Sequence, residues 1–90
     1  MIKERLIQII NWKDVTNPEL EQATGISRYT WQNVRNKPKR NIKEEEIQAI
    51  ADLYPEYAYW LMTGEVIPEA GQTSPEYDSV DSKLAGPAEG

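Results

Sequence analysis

The polar side chains best suited to specific chemistry lie in residues 28–36, which read RYTWQNVRN. At helical spacing, Trp31 and Val34 share one inward face with Ile26, which lies just before them. The outward face then carries the polar side chains Arg28, Tyr29, Gln32, Asn33 and Asn36. Arg, Gln and Asn can hydrogen-bond to base edges in the major groove of DNA, so this face could read a base sequence. The plainer alternative is an ordinary polar surface helix.

Two features upstream would position this helix. Gly25 is expected to turn the backbone with a positive φ, which glycine adopts without steric cost, and Ser27 is a good N-cap for the helix that follows. Before the turn, Thr16 and Glu19 form a capping box with Pro18 in the first turn, which predicts a short helix ending at Gly25. The two helices and their glycine turn predict a helix-turn-helix, although such turns occur in many all-α proteins.

Three further helices are predicted around this pair. Apolar residues at helical spacing predict a first helix over residues 2–12. A second capping box, Asn41 with Glu44, predicts a fourth helix to about Leu53, in which the acids of residues 44–46 form a solvated start and not a metal site. A fifth helix begins at Pro55 and stops at Gly64. The residues of the last two helices expected to face inward are Ile47, Ile50, Ala51, Tyr54, Tyr57, Trp60 and Leu61.

The charge of the chain is divided unevenly. The whole chain has a formal net charge of −5, which taken alone argues against a nucleic-acid-binding protein. Residues 1–43 nevertheless carry nine Lys or Arg against four Asp or Glu, whereas residues 44–90 carry one Lys against eleven acids. The loop predicted over residues 37–41, where Pro38 cannot continue the helix, is part of the basic half, and its cations are Lys37, Lys39 and Arg40. This asymmetry predicts a basic binding face followed by an acidic segment.

The composition excludes several classes of site. Ninety residues suit one small domain, and they include no cysteine and no histidine. Their absence removes disulfide frameworks, most zinc sites, the usual general base and the Ser-His-Asp arrangement. We therefore expect no enzyme, no metal and no cofactor. No apolar run approaches the about 18 residues of a membrane span, and no signal peptide is evident, so a cytoplasmic location is expected.

Residues 66–90 differ from the rest of the chain in composition. They contain three of the six prolines, three of the five glycines and few large apolar side chains. Such a segment buries too little surface to offset the entropy lost on ordering, so it is predicted to be a flexible, disordered acidic tail. The predicted organisation is a helix-turn-helix domain over residues 1–65 followed by this tail.

The chain resembles the lambda-repressor-like family of phage repressors, Cro proteins and their relatives. ERLIQII is similar to the first helix of that family, VTNPELEQATGISRYTWQNVRNK to its Cro/C1-type helix-turn-helix, and YAYWLMTG to its frequent aromatic-Trp-Leu-x-Thr-Gly ending. The match runs over residues 2–36 and resumes over residues 50–64. It implies an all-α, compact five-helix domain that binds DNA as a dimer, with a recognition helix of about residues 28–36 in the major groove.

The resemblance also implies roles for individual residues. Base contacts are assigned to Arg28, Tyr29, Gln32 and Asn33. Phosphate contacts are assigned to Asn17 and Ser27 near helix N-termini, and to Lys37, Lys39 and Arg40 in the loop. Two residues depart from the family pattern, which usually has a small residue in place of Glu21 and Ile or Val in place of Trp31. Trp31 is therefore expected to push the recognition helix outward, and Glu21 to lean towards solvent.

The resulting prediction is a regulator of transcription that binds double-stranded DNA sequence-specifically, as a homodimer of phage or prophage origin. It involves no membrane and no small-molecule substrate. The alternative is a protein-interaction module that keeps the fold without binding DNA. This alternative is motivated by the acidic total charge, by Glu21 and by the acidic tail.

Overall fold

Helices make up most of the chain. The computed structural model describes residues 1–81, in which six α-helices follow one another. They are α1 (Ile2–Trp12), α2 (Asn17–Thr24), α3 (Arg28–Asn36), α4 (Glu44–Leu53), α5 (Ala58–Thr63) and α6 (residues 75–81). Two short 3-10 turns, Pro55–Tyr57 and Pro68–Ala70, precede α5 and α6. Within residues 1–81 the only β pairing is an isolated bridge between Ile67 and Gln72, and no helix there is long and apolar enough to cross a membrane.

The start and end of α2 follow from local chemistry, and the predicted capping box is confirmed. The Glu19 amide donates a hydrogen bond of 3.3 Å to Thr16 Oγ1, and the Thr16 amide donates one of 2.8 Å to Glu19 Oε1. These bonds satisfy amides that have no partner inside the helix. At the other end, Gly25 has a φ of +76°, a conformation in which an L side chain would be strained.

One apolar core joins α1 to α5. Its buried side chains are Leu6, Ile9, Ile10, Leu20, Trp31, Val34, Ile50, Tyr57 and Leu61. α2 packs on α3, α1 packs on α5, and α4 packs on both α2 and α5. Of the residues predicted to face inward in α4 and α5, Ile50, Tyr57 and Leu61 are fully buried. The others, including Trp60, are only partly buried and lie at the margin of the core.

Two predicted helix boundaries are wrong. α4 begins at Glu44 because Lys43, and not Asn41, is its N-cap, and the Lys43 amide donates to Glu46 Oε1 at 2.9 Å. The expected fifth helix is divided, since Pro55–Tyr57 form a 3-10 turn before α5. With α6, the described residues contain six α-helices and not five.

The prediction of a flexible tail from residue 66 is wrong for residues 66–81. This segment forms the bridge at Ile67, a 3-10 turn and α6, and Ser74 at the start of α6 is buried. A domain boundary at residue 65 is therefore not present in the structure. Residues 82–90 of the predicted tail lie outside the described residues.

Polar contacts explain why a segment of low apolar content folds here. The Thr73 amide donates to the Glu56 carbonyl at 2.9 Å. The Gln72 side chain donates to the Pro55 carbonyl at 3.0 Å and accepts from the Tyr59 amide at 2.9 Å. Hydrogen bonds to the main chain around α5 thus fix residues 72–73, although the composition of the segment favours disorder.

Candidate nucleic-acid interface

α3 exposes the polar face that the sequence predicts. Its exposed residues include Arg28, Tyr29, Gln32, Asn33 and Asn36, and Tyr29 is 70% exposed. The side chains of Gln32, Asn33 and Asn36 make no hydrogen bond to any residue of the described part of the chain, so their amide donors and acceptors are available to a ligand. On the opposite face, Trp31 and Val34 are fully buried and fix the orientation of the helix.

The Thr24 hydroxyl organises the turn between α2 and α3. It donates to the Leu20 carbonyl at 2.6 Å and accepts from the Ile26 amide at 3.2 Å. It also accepts from the indole Nε1 of Trp31 at 3.3 Å. One side chain therefore joins the end of α2, the turn and the middle of α3, and this sets the angle at which α3 leaves the turn.

Trp31, which was expected to push α3 outward because it is larger than Ile or Val, is part of the core. Its ring is completely buried and its single polar group has a partner in Thr24. A buried indole needs such a partner for its N–H, and Thr24 supplies it from the adjacent helix. The unusual residue is thus accommodated inside the core.

Glu21 does not lean freely into solvent, since it is bound to Arg28. Glu21 Oε1 accepts a hydrogen bond of 2.8 Å from Arg28 Nε, and Oε2 accepts one of 3.2 Å from the Arg28 amide. These hydrogen bonds from Arg28 hold the pKa of the Glu21 carboxyl below its usual value. An ionised carboxylate therefore lies beside the first residue of α3.

The two predicted phosphate contacts near helix N-termini lie in different surroundings. Ser27 is the N-cap of α3, where its hydroxyl accepts the Tyr29 amide at 3.1 Å. Asn17 is the first residue of α2 and is half-buried, and its Oδ1 is buried with no hydrogen-bond partner among the described residues. Both residues are therefore half-buried, and they differ in that the Ser27 hydroxyl caps α3 whereas Asn17 Oδ1 has no partner within residues 1–81.

The loop after α3 is held against α1 by Lys3. The Lys3 ammonium group donates to the carbonyls of Lys37 and Arg40, each at 2.6 Å, and to that of Pro38 at 3.3 Å. Lys37 and Lys39 are exposed, and neither side chain hydrogen-bonds to a residue in the described range 1–81. The loop therefore presents two cations directly beyond the C-terminus of α3.

Arg40 has a different role from the other two cations of the loop. Its guanidinium donates to Glu46 Oε1 at 3.0 Å and to Oε2 at 2.7 Å, and the Glu46 side chain is only 1% exposed. Arg40, which was predicted as a phosphate contact, therefore has a partner inside the fold, because its charge neutralises a buried carboxylate. Glu46 likewise does not belong to a solvated helix start.

The pKa of Glu46 reflects this pairing. Burial alone would raise the pKa, because it disfavours the charged carboxylate. The hydrogen bonds from Arg40 and the Lys43 amide, together with the charges of these two residues, outweigh the effect of burial and hold the pKa of Glu46 below its ordinary value. The pair therefore remains charged near neutral pH.

Two positioning residues, Lys3 and Glu46, were not predicted from the sequence. Lys3 stands in an amphipathic first helix, where a lysine suggests only a solvated face. Glu46 stands in an acidic run at the start of α4. The inward-facing residues Ile47 and Ile50 that follow it do not indicate that its side chain is also buried. The sequence shows only that Arg40 and Glu46 are six residues apart. This spacing does not predict an ion pair unless the conformation of the loop between them is known.

A solved structure of Pf6r from the filamentous phage Pf6 of Pseudomonas aeruginosa PA01 matches this chain closely. The two sequences are 36% identical, the match covers 94% of this chain and 98% of the other, and the TM-score is 0.85. The chain belongs to the family of Pf6r. No protein-family model and no curated protein sequence matches it.

The likeness to Pf6r extends beyond α5. Since 94% of the 90 residues are covered, at most about five residues lie outside the match, so most of residues 66–81 are included. The C-terminal segment with α6 is therefore part of the fold shared with Pf6r. This agrees with the hydrogen bonds that join it to the residues around α5.

Proposed function

We propose that this chain is a phage or prophage regulator that binds double-stranded DNA sequence-specifically, with α2 and α3 as a helix-turn-helix and α3 in the major groove. The observation that carries the proposal is the exposed face of α3. There the polar groups of Tyr29, Gln32 and Asn33 have no hydrogen-bond partner within residues 1–81, and the opposite face of the helix is fixed by buried Trp31 and Val34. Of these side chains, Gln and Asn can form bidentate contacts with the major-groove edge of adenine.

The surroundings of α3 support binding to a phosphate backbone. Lys37 and Lys39 follow the helix directly, in a loop held in place by Lys3 and by the Arg40–Glu46 pair. Residues 1–43, which include α3 and the cations of this loop, have a net charge of +5, opposite in sign to that of the whole chain. Phosphate contacts from this loop would set the register of α3 in the groove without reading the base sequence.

The proposed regulator binds as a homodimer. A single helix-turn-helix makes few phosphate contacts, and a second copy doubles both the contacts and the length of sequence read. Two α3 helices would then occupy successive major grooves about 34 Å apart. The function proposed here requires neither a cofactor nor catalysis, and it would take place in the cytoplasm.

Selection from a pool of random duplexes, followed by salt titration, tests the proposal. We expect the full chain to enrich a symmetric site and to bind it with an affinity that falls steeply as salt rises. Gln32→Ala with Asn33→Ala should reduce the preference for that site over a scrambled duplex by tenfold or more. Gln48→Ala, which removes an exposed amide from α4, is the matched control and should leave the preference intact. Failure to enrich any sequence, with no binding at low salt, would overturn the proposal.

The second candidate is a protein-interaction module, and one observation favours it. α6 carries Glu76, Asp78 and Asp81, so an acidic helix is fixed to the domain and is not a loose tail. A surface of this charge suits a basic protein partner better than DNA. Absence of duplex binding at low salt, together with a well-folded chain, is the result that would favour this candidate.

A further inference from the structure

The Glu21 carboxylate binds Arg28, the first residue of α3, through both of its oxygens. One oxygen accepts from the backbone amide of Arg28, which is one of the amides left without a partner at a helix N-terminus. The other oxygen accepts from Nε of the Arg28 side chain at 2.8 Å. Both the main chain and the side chain of Arg28 are thus tied to α2, although each side chain remains more than one-third exposed.

The contact from Glu21 uses only one edge of the guanidinium. The carboxylate is bound to Nε, and the two terminal nitrogens of Arg28 have no hydrogen-bond partner within residues 1–81. A bidentate contact to guanine O6 and N7 needs two N–H donors in a fixed plane, and the terminal nitrogens provide them. The pairing with Glu21 therefore leaves available the part of Arg28 that would contact a base.

We propose that Glu21 is a positioning residue, which holds Arg28 so that its two terminal nitrogens contact a guanine at one position of the DNA site. This inference rests on the proposed DNA-binding function and adds the base that Arg28 reads. A free arginine side chain has many rotamers and must lose them on binding, whereas one already held by a carboxylate loses fewer. Specificity at that position depends on this prior ordering.

The charge of Glu21 gives the proposal a distinctive signature. A carboxylate beside the groove repels phosphates, so its removal should strengthen binding to any duplex, including random DNA. The same substitution removes the hydrogen bonds that position Arg28, so it should at the same time weaken the discrimination between bases. Affinity for random DNA and discrimination at one base pair should therefore change in opposite directions. If Glu21 merely masked Arg28, both would rise together.

The experiment begins with the site selected by the unmodified full chain from a random duplex pool. Single base-pair substitutions in that site then identify the guanine whose replacement costs most. We call the factor by which affinity falls when this guanine is replaced the guanine penalty, and we expect it to be tenfold or more for the unmodified chain. Glu21→Ala should raise affinity for scrambled duplex about threefold and reduce the guanine penalty to about threefold. Arg28→Ala should abolish the penalty, and Glu21→Ala combined with Arg28→Ala should behave like Arg28→Ala alone.

Two further variants control for fold and charge. Glu21→Gln keeps the size of the side chain and one hydrogen-bond acceptor, so it should retain part of the penalty, and it remains informative if Glu21→Ala unfolds. Glu45→Gln removes the same charge from an exposed position on α4 and should leave the penalty unchanged. A guanine penalty that is unchanged or larger in both Glu21 variants would overturn the role of Glu21 alone. An unmodified chain that prefers no sequence would overturn the proposed function and this inference together.

Discussion

Arg40 and Glu46 form an ion pair that fixes the loop after α3 to the start of α4. The two side chains are joined by hydrogen bonds of 3.0 Å and 2.7 Å, and the carboxylate is almost completely buried. The Lys43 amide donates to the same carboxylate at 2.9 Å. Because this group is buried and satisfied by three donors, the pair acts together with Lys3 in holding the loop that carries Lys37 and Lys39.

Arg40→Ala should lower the free energy of unfolding by about 3–5 kcal/mol, since it leaves the Glu46 charge buried without its partner. Urea denaturation measures this difference directly. Lys39→Ala, one residue earlier and exposed, is the matched control and should change the free energy by less than about 0.5 kcal/mol. Equal and small effects of the two substitutions would show that the pair is not buried in solution.

Acid should destabilise the protein partly through Glu46. The pKa of Glu46 is lowered in the folded chain from an ordinary value of 4.5, so its stabilising contribution is fully present above about pH 4.5 and is lost as the pH falls through the folded pKa. The difference in unfolding free energy between the unmodified chain and Glu46→Gln should be constant near neutral pH and shrink below about pH 4.5. A difference that grows in acid would contradict the direction of the pKa shift.

The hydrogen bond from the Tyr57 hydroxyl to Asp78 Oδ2, 2.5 Å long, joins α6 to the core. Tyr57→Phe should lower the free energy of unfolding by about 1–3 kcal/mol, because a bond to a charged acceptor is lost. Burial and the hydrogen bond to Asp78 raise the pKa of Tyr57 above its ordinary value of 10.0. The contribution is therefore fully present below about pH 10 and disappears as the pH rises further.

Alkaline titration of both proteins checks this prediction. The difference in stability between the unmodified chain and Tyr57→Phe should decrease above about pH 10. Tyr29→Phe, which removes an exposed hydroxyl with no partner among the described residues, should match the unmodified chain throughout. No stability difference between the unmodified chain and Tyr57→Phe at neutral pH would mean that α6 is not held by this bond.

Trp31 and Trp60 should differ in their contribution to stability. Trp31 is fully buried and donates to Thr24, so Trp31→Ala should cost about 3–5 kcal/mol and leave a cavity. Trp60 is only partly buried, so Trp60→Ala should cost clearly less. Thermal unfolding of the two variants gives the order, and a larger loss for Trp60 would contradict the core described above.

Lys39 should hold DNA without reading it. Lys39→Ala should weaken binding to the selected and scrambled duplexes by the same factor, and lower the slope of log affinity against log salt by about 0.9, the value for one phosphate contact. Lys13→Ala removes the same charge but from a lysine paired with Glu56, and it should leave that slope unchanged. A Lys39 effect confined to the selected site would indicate a base contact instead.

The sequence by itself determined α2, the turn that follows it and the exposed face of α3. The capping box of Thr16 and Glu19, the left-handed turn at Gly25 and the buried positions of Trp31 and Val34 all depend on neighbours a few residues away. Local chemistry is sufficient there, because caps, glycine turns and helical periodicity act within one or two turns of the chain.

Only the tertiary structure decided which charged side chains form ion pairs within residues 1–81 and which remain available to a ligand. Arg40 looks like Lys39 in the sequence, and only the fold of the loop brings it to Glu46. Residues 66–81 have a composition typical of disorder, yet hydrogen bonds around Tyr57 and Pro55 fix them. The physical reason is that these partners are 6 to 21 residues apart along the chain, so no local sequence pattern predicts that they will be in contact.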